Sequence, residues 1–294
     1  MTNYYTKIKE QLINNEIYKK VKDYSKNKNE LETYYNVGKL LSEAGKHYGE
    51  GIIKEYSNKL IKDIGKKYSV RYLFDMKKLY LFSKVHPLGA QLTMSHYKLL
   101  FPMKDDNKID YYINQVIKRN LSKRELESII KLREYERLSK TTKNKLIKKE
   151  ETNIEDFIKN PIIIKNNNNY EEISEKTLKN MILEDIPSFL EQLGEGYSFI
   201  KDEYPIKMGD RYNYIDLLLF NYIYNSFVVV ELKIKELKHK DLGQIQVYMN
   251  YIDKNLKTIN QNKTIGIIVC YKNNRYIIEY SSDPRIYITE YKLV

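Results

Sequence analysis

The chain has 294 residues, which is long enough for two domains that each bury a hydrophobic core. With one cysteine, Cys270, the chain cannot form an intrachain disulfide. No apolar run is long enough for a membrane span or a signal peptide, so the sequence predicts a cytoplasmic protein. The net charge of +12 arises in residues 1–150, which hold 33 basic and 18 acidic side chains, whereas the remaining residues hold 18 and 21.

This asymmetry of charge between the two halves favours a nucleic-acid-binding first half. The alternative is the Lys-rich composition that an AT-rich genome gives to its proteins. Such a bias should enrich lysine in both halves, and only the first half is basic.

The first half is predicted to be helical, since apolar residues recur at helical spacing over 8–41 and at every fourth position over 52–64. Gly65 is placed to end the second helix, and Ser69 to cap the next one, over 70–82. Helix, short turn with glycine, helix is the pattern of a helix-turn-helix, and two ordinary bundle helices fit it equally well. In the DNA-binding interpretation the residues that face DNA are Lys66, Lys67, Ser69, Arg71, Tyr72 and Lys78.

Two polar runs mark the boundary between the halves. Residues 139–151 are rich in Lys, Thr and Asn, and 165–169 form a second polar run. We therefore predict a basic helical domain at 1–150, a linker region at 151–169 and a second domain at 170–294.

The second domain is predicted to mix helices and strands. The predicted order is a helix (173–193, interrupted near Pro187), three strands (197–206, 212–220 and 227–233), a helix (242–256) and a strand (264–271), with 277–280 and 286–291 closing the sheet.

Charged residues interrupt the second and third of these strands, which a short turn at Asn225 and Ser226 joins as a hairpin. Asp216 lies within one apolar run, and Glu231 and Lys233 follow the other. Side chains alternate across a strand, so Glu231 and Lys233 share a face, and antiparallel pairing can bring Asp216 beside them.

Two carboxylates and an ammonium at one end of a sheet suit metal-assisted phosphodiester cleavage, because Mg²⁺ and Mn²⁺ prefer carboxylate oxygens. Asp216 and Glu231 are the candidate ligands, together with the main-chain carbonyl of Leu232. Lys233 is placed to orient or help deprotonate the attacking water and to offset charge on the phosphate. A structural ion pair at a sheet edge explains the same pattern about as well.

Three runs carry a family resemblance: YIDLLLF (214–220), VVELK (229–233) and GQIQVY (243–248). They are similar to the YhcG-like (DUF1016) family of the PD-(D/E)xK nuclease superfamily. The similarity continues through FLEQLG (189–194), TIGIIVC (264–270) and, in the first half, LTMSH (92–96).

The resemblance implies an α+β two-domain protein. Its first domain would be an all-α, helix-turn-helix-like bundle that binds DNA, and its second, at 170–294, a restriction-endonuclease-like nuclease core with the order αβββαβ and a mixed sheet. It also implies that Asp216 and Glu231 bind the metal, that Lys233 is catalytic and that Gln244 and Tyr248 face the site. The family usually has Glu where this chain has Gln192, so Gln192 and its neighbour Glu191 are candidate auxiliary residues.

The resulting hypothesis is an Mg²⁺- or Mn²⁺-dependent DNA endonuclease whose basic first domain docks the DNA. One alternative is a DNA-binding regulator or scaffold with an inactive nuclease-like domain. Another is an RNase of a defence or toxin system. The oligomeric state stays open, with a homodimer among the options.

Overall fold

The computed structural model describes residues 3–20, 26–86, 89, 91–279 and 283–294. The chain divides into two compact units, Met1–Lys131 and Leu132–Val294. Across the described ranges, every helix is too short or too polar to cross a membrane.

The first unit is helical, as predicted. Ser69 caps one of its helices, since its side chain accepts a hydrogen bond from the N–H of Tyr72 at 3.4 Å. The helices are α1 (Tyr4–Lys20), α2 (Lys26–Tyr48), α3 (Ile52–Asp63), α4 (Val70–Phe82), α5 (Met94–Leu100), α6 (Asp106–Arg119) and α7 (Lys123–Lys131).

Helices α2 and α4 approach each other closely at Gly38. A β-carbon at this position would overlap the main-chain carbonyl oxygen of Met76. The obstacle is backbone, which cannot move aside as the end of a flexible side chain can. Only glycine therefore allows this packing of α2 on α4.

We expect Gly38→Ala to lower the free energy of unfolding by about 1–3 kcal/mol, because it overpacks a helix contact. Gly243 is the matched control, since it lies in a helix with open space around its α-carbon. Gly243→Ala should raise the free energy of unfolding by about 0.5–1 kcal/mol through the better helix propensity of alanine. Urea denaturation monitored by circular dichroism measures both changes, and effects of the same sign would contradict the close approach at Gly38.

The second unit is built around one six-stranded sheet with the strand order β1-β6-β5-β4-β3-β2. Strands β2, β3 and β4 are antiparallel neighbours, whereas β4, β5, β6 and β1 run parallel to one another, so the predicted mixed sheet is confirmed. The elements are α8 (Lys140–Lys148), a 3-10 helix (Ile154–Phe157), β1 (Ile162–Ile164), α9 (Glu175–Glu184), α10 (Ile186–Leu193), β2 (Tyr197–Met208), β3 (Arg211–Asn221), β4 (Ser226–Glu236), α11 (His239–Asn255), β5 (Ile265–Lys272), α12 (Arg275–Glu279) and β6 (Ile286–Leu293).

Each face of the sheet has its own hydrophobic core. Helices α9 and α10 pack in one core and α11 packs in the other. Strand β3 changes its alternation within the sheet, because Leu217 belongs to the core of α9 and Ile215, two residues earlier, belongs to the core of α11. Asp216 lies at this change of face, half-buried between the two cores.

Two segments differ from the sequence prediction. Residues 151–169, predicted as a linker, contain β1, whose Ile162 pairs with Tyr291 of β6. Residues 277–279, predicted as the start of a strand, lie in helix α12 because Asn274 accepts a hydrogen bond from the N–H of Ile277 at 3.4 Å, as a helix cap does. Tyr280, the last residue of that predicted strand, lies outside the described residues.

Candidate active site

The hairpin of β3 and β4 brings the predicted charged residues together. The antiparallel register sets Asp216 across from Glu231, one position beyond the last paired residues. The N–H of Leu232 donates a hydrogen bond to Asp216 Oδ2 at 2.9 Å. Lys233 Nζ lies 3.3 Å from Glu231 Oε2. Two carboxylates and one ammonium therefore meet where the pairing of β3 with β4 ends.

Both carboxylates are held where their charge is unfavourable. Glu231 is only 2% exposed, and burial together with the charge of Asp216 raises its pKa to about 8, against the attraction of Lys233. Burial also raises the pKa of Asp216, although the Leu232 N–H and Lys233 oppose the rise. In this arrangement the two acids are short of positive charge at neutral pH.

One oxygen of the pair is unsatisfied. Glu231 Oε1 is buried and has no hydrogen-bond partner. An orphaned carboxylate oxygen beside a second carboxylate is a suitable ligand for a hard divalent cation such as Mg²⁺ or Mn²⁺. Within the described ranges no three His, Cys, Asp or Glu side chains form a metal-binding group, so an ion here would take the rest of its shell from other oxygens.

Lys233 is the cation of the site. Burial alone would lower its pKa, but the charges of Glu231 and Glu175 outweigh this and raise the pKa above its ordinary value. Lys233 is therefore protonated at neutral pH. In this state it can hold a phosphate oxygen, and it is poorly suited to accept a proton from water.

Helix α11 brings Gln244 and Tyr248 to the same region. Gln244 Nε2 donates a hydrogen bond to the Tyr248 hydroxyl at 3.0 Å. Burial raises the pKa of Tyr248 against this hydrogen bond, and the charges of Glu231 and Asp216 add to the rise. The tyrosine hydroxyl thus lies within electrostatic reach of both carboxylates.

The two auxiliary candidates on α10 are placed elsewhere. Gln192 is buried, and its Oε1 accepts hydrogen bonds from Arg137 Nη1 at 2.5 Å and from the N–H of Ile163 at 3.5 Å. Glu191 is exposed. The structure therefore ties Gln192 to Arg137 and to strand β1, and it does not bring Gln192 to Asp216 and Glu231.

Three charged residues near the carboxylates were not predicted from the sequence: Glu175, Lys179 and Glu203. Glu175 lies in the first turn of α9, and its charge raises the pKa of Lys233. Lys179, one turn later, forms an ion pair with Glu203 of β2. The sequence pattern gave little indication that these residues lie near the site, because charged residues in an amphipathic helix and in an edge strand usually face solvent.

The residues predicted to face DNA lie in the first unit, three of them in the turn between α3 and α4 (Lys66, Lys67 and Ser69) and three in α4 (Arg71, Tyr72 and Lys78). Lys67 Nζ forms an ion pair with Glu16 at 3.0 Å, and the Tyr72 hydroxyl donates a hydrogen bond to Tyr34 at 2.6 Å. Ser69 serves as the cap of α4. The other three predicted residues are exposed: Lys66, Arg71 and Lys78.

Comparison with known protein families covers most of the chain. Residues 155–294 match the YhcG PDDEXK nuclease domain, and residues 8–137 match the DUF1016 N-terminal domain. A relative from Escherichia coli (strain K12), named "Putative nuclease YhcG", is 23% identical in an alignment that covers 81% of this chain and 76% of that protein.

Two solved structures align with part of the chain. A repair endonuclease from Pyrococcus abyssi is 22% identical with a TM-score of 0.30, and a complex of EndoMS with double-stranded DNA is 18% identical with a TM-score of 0.29. Each alignment covers 43% of this chain and 48% of the other, so the chain spans about half the length of these structures.

Proposed function

We infer that this chain, which belongs to the YhcG-like (DUF1016) family of PDDEXK nucleases, is a metal-dependent endonuclease that hydrolyses phosphodiester bonds in DNA. The observation that carries the proposal is the buried pair of carboxylates, Asp216 and Glu231, with the unpartnered Oε1 of Glu231 and the ammonium of Lys233 beside it. Burying two carboxylates lowers the stability of the folded protein unless a cation neutralises them.

The proposed roles follow from the contacts of each residue. Asp216 and Glu231 would hold Mg²⁺ or Mn²⁺, with the carbonyl oxygen of Leu232 as a further ligand. The bound ion would supply Lewis-acid polarisation of the scissile phosphate. Lys233, protonated and largely buried, would hold a phosphate oxygen and offset the charge that develops there. Gln244 would orient the Tyr248 hydroxyl toward the same region.

We further propose that residues 1–150 dock the DNA and that α3 and α4 act as a helix-turn-helix. The charge of +15 in this half supports the proposal, because the phosphate backbone attracts a basic surface whatever the sequence of bases. Lys66, Arg71 and Lys78 are the proposed phosphate contacts, since all three are exposed at one helix pair. Ser69 and Tyr72 would then fix the geometry of α4.

The docking proposal predicts a steep dependence of DNA affinity on salt. Combining Lys66→Ala, Arg71→Ala and Lys78→Ala should reduce the slope of log affinity against log salt by about three, since each phosphate contact releases about one counterion. Fluorescence anisotropy with a labelled duplex, from low to moderate salt, measures the slope.

Three exposed lysines of the second unit, Lys254, Lys263 and Lys292, provide the matched control. Their combined replacement by alanine should leave the slope nearly unchanged. A wild-type affinity that hardly responds to salt, or equal effects of the two triple variants, would refute the docking role.

Cleavage of duplex DNA, branched DNA and RNA, each with and without Mg²⁺, tests which nucleic acid is the substrate and whether its cleavage needs the metal. We expect Mg²⁺-dependent cutting of DNA. Cleavage of RNA alone would keep the site and change the substrate, whereas DNA binding without any cleavage would indicate a scaffold.

A further inference from the structure

A third carboxylate, that of Glu203 on strand β2, lies close enough for its charge to raise the pKa of Asp216. The pairs Asp202–Leu217 and Tyr204–Ile215 bracket Glu203, so Glu203 stands across from Asp216 on the antiparallel neighbour. Its backbone has a φ of +43°, in the left-handed region that residues other than glycine rarely adopt. Glu203, Asp216 and Glu231 thus occupy a row of backbone positions across three adjacent strands, with the exposed Glu203 at its outer end.

Lys179 occupies the end of this row at Glu203. Its side chain is 9% exposed although it carries an ammonium, and Nζ forms an ion pair with Glu203 Oε1. The charge of Lys179 also acts on Asp216, where it opposes the rise in pKa that burial causes. A buried ammonium is expensive to desolvate, so the ion pair with Glu203 offsets part of the cost of burying Lys179.

The row therefore has two different ends. At the Glu203 end a lysine supplies the positive charge, whereas at the Glu231 end a buried oxygen has no partner. A divalent ion shared by Glu203 and Asp216 would have to displace Lys179. An ion at Asp216 and Glu231 would meet an unsatisfied ligand.

We propose that Lys179 is a positioning residue that takes the place of a second metal ion, so that the site holds one divalent cation per chain. The inference rests on the proposed function, since it presupposes a metal site at Asp216 and Glu231. In this arrangement the ion pair with Lys179 holds the Glu203 carboxylate away from the metal. The site would then use one ion and two lysines, Lys179 and Lys233.

The test counts ions without measuring cleavage. Isothermal titration calorimetry of the full chain with Mn²⁺, in the absence of DNA, should give one site in the wild type. Lys179→Met should raise the number to two, because it frees Glu203 and Asp216 to share an ion, whereas Lys179→Arg should keep one. The double variant with Lys179→Met and Glu203→Gln should return to one.

Lys176→Met is the matched control, since Lys176 lies on the same helix and is exposed. It should bind one ion with the affinity of the wild type. Two ions in the wild type, or a single ion in a folded Lys179→Met variant, would overturn the role of Lys179 and leave the proposed nuclease intact. If the wild type binds no Mn²⁺, both proposals fall; if Lys179→Met does not fold, Lys179→Gln, which also removes the charge, is titrated in its place and should bind two ions.

Discussion

Asp216→Asn and Lys233→Met are each expected to reduce Mg²⁺-dependent DNA cleavage by at least about 10³-fold while DNA affinity falls far less. The first change removes a charged ligand next to Glu231, and the second removes the ammonium 3.3 Å from Glu231 Oε2. Losses of this size are typical when preorganised charge is taken from a transition state that develops negative charge. Single-turnover cleavage of a labelled duplex measures the rate, and anisotropy in Ca²⁺ measures binding.

Two neighbouring residues offer controls of the same chemistry. Asp210 lies in the turn between β2 and β3, and Lys235 lies two residues beyond Lys233 on β4; both are exposed. Asp210→Asn and Lys235→Met should cleave within about twofold of the wild type. Activity that survives in the Asp216 or Lys233 variant, or an equal loss in the controls, would mean that the reacting atoms lie elsewhere.

The grouping of Asp216, Glu231 and Lys233 could be predicted because it depends on local rules. A short turn, with Asn225 in the left-handed conformation at a φ of +49°, fixes the hairpin, and alternation along each strand then decides which residues meet. The division of the 173–193 helix into α9 and α10 near Pro187 was also readable, since proline is tolerated only at the start of a helix.

The surroundings of the site were not predictable in the same way. Lys179 forms its ion pair with Glu203 because α9 packs on the sheet, which residue spacing does not predict. Spacing does not predict the positive φ of Glu203 either. Gln192 was expected near the carboxylates by resemblance, but its side chain accepts a hydrogen bond from Arg137, which is distant in the sequence. The short strand β1 likewise exists because β6 offers it an edge. Contacts of this kind depend on the whole fold.

Glu231→Gln is expected to raise the free energy of unfolding of the metal-free protein by roughly 1–2 kcal/mol at pH 7. Folding raises the pKa of Glu231 from 4.5 to about 8, through burial and the charge of Asp216. At 1.36 kcal/mol per pKa unit this corresponds to a cost on the order of 3 kcal/mol at pH 7. The amide removes that cost but retains one buried polar group without a partner, which reduces the gain.

The sign of the pH dependence follows from the direction of the shift. Because the pKa of Glu231 is higher in the folded than in the unfolded protein, the stability cost is absent below pH 4.5 and grows as the pH rises toward 8. The stability advantage of Glu231→Gln should therefore grow over the same interval.

Adding Mn²⁺ should make the wild type more stable than Glu231→Gln, since an ion at a hundred times its Kd stabilises the wild type by about 2.7 kcal/mol and the variant much less. Glu236→Gln, an exposed change on the same strand, should show neither effect. Urea titrations at pH 5 and pH 8, with and without Mn²⁺, decide the matter: if Glu231→Gln weakens the metal-free protein at pH 8, the buried carboxylate is already compensated from within the chain and needs no metal.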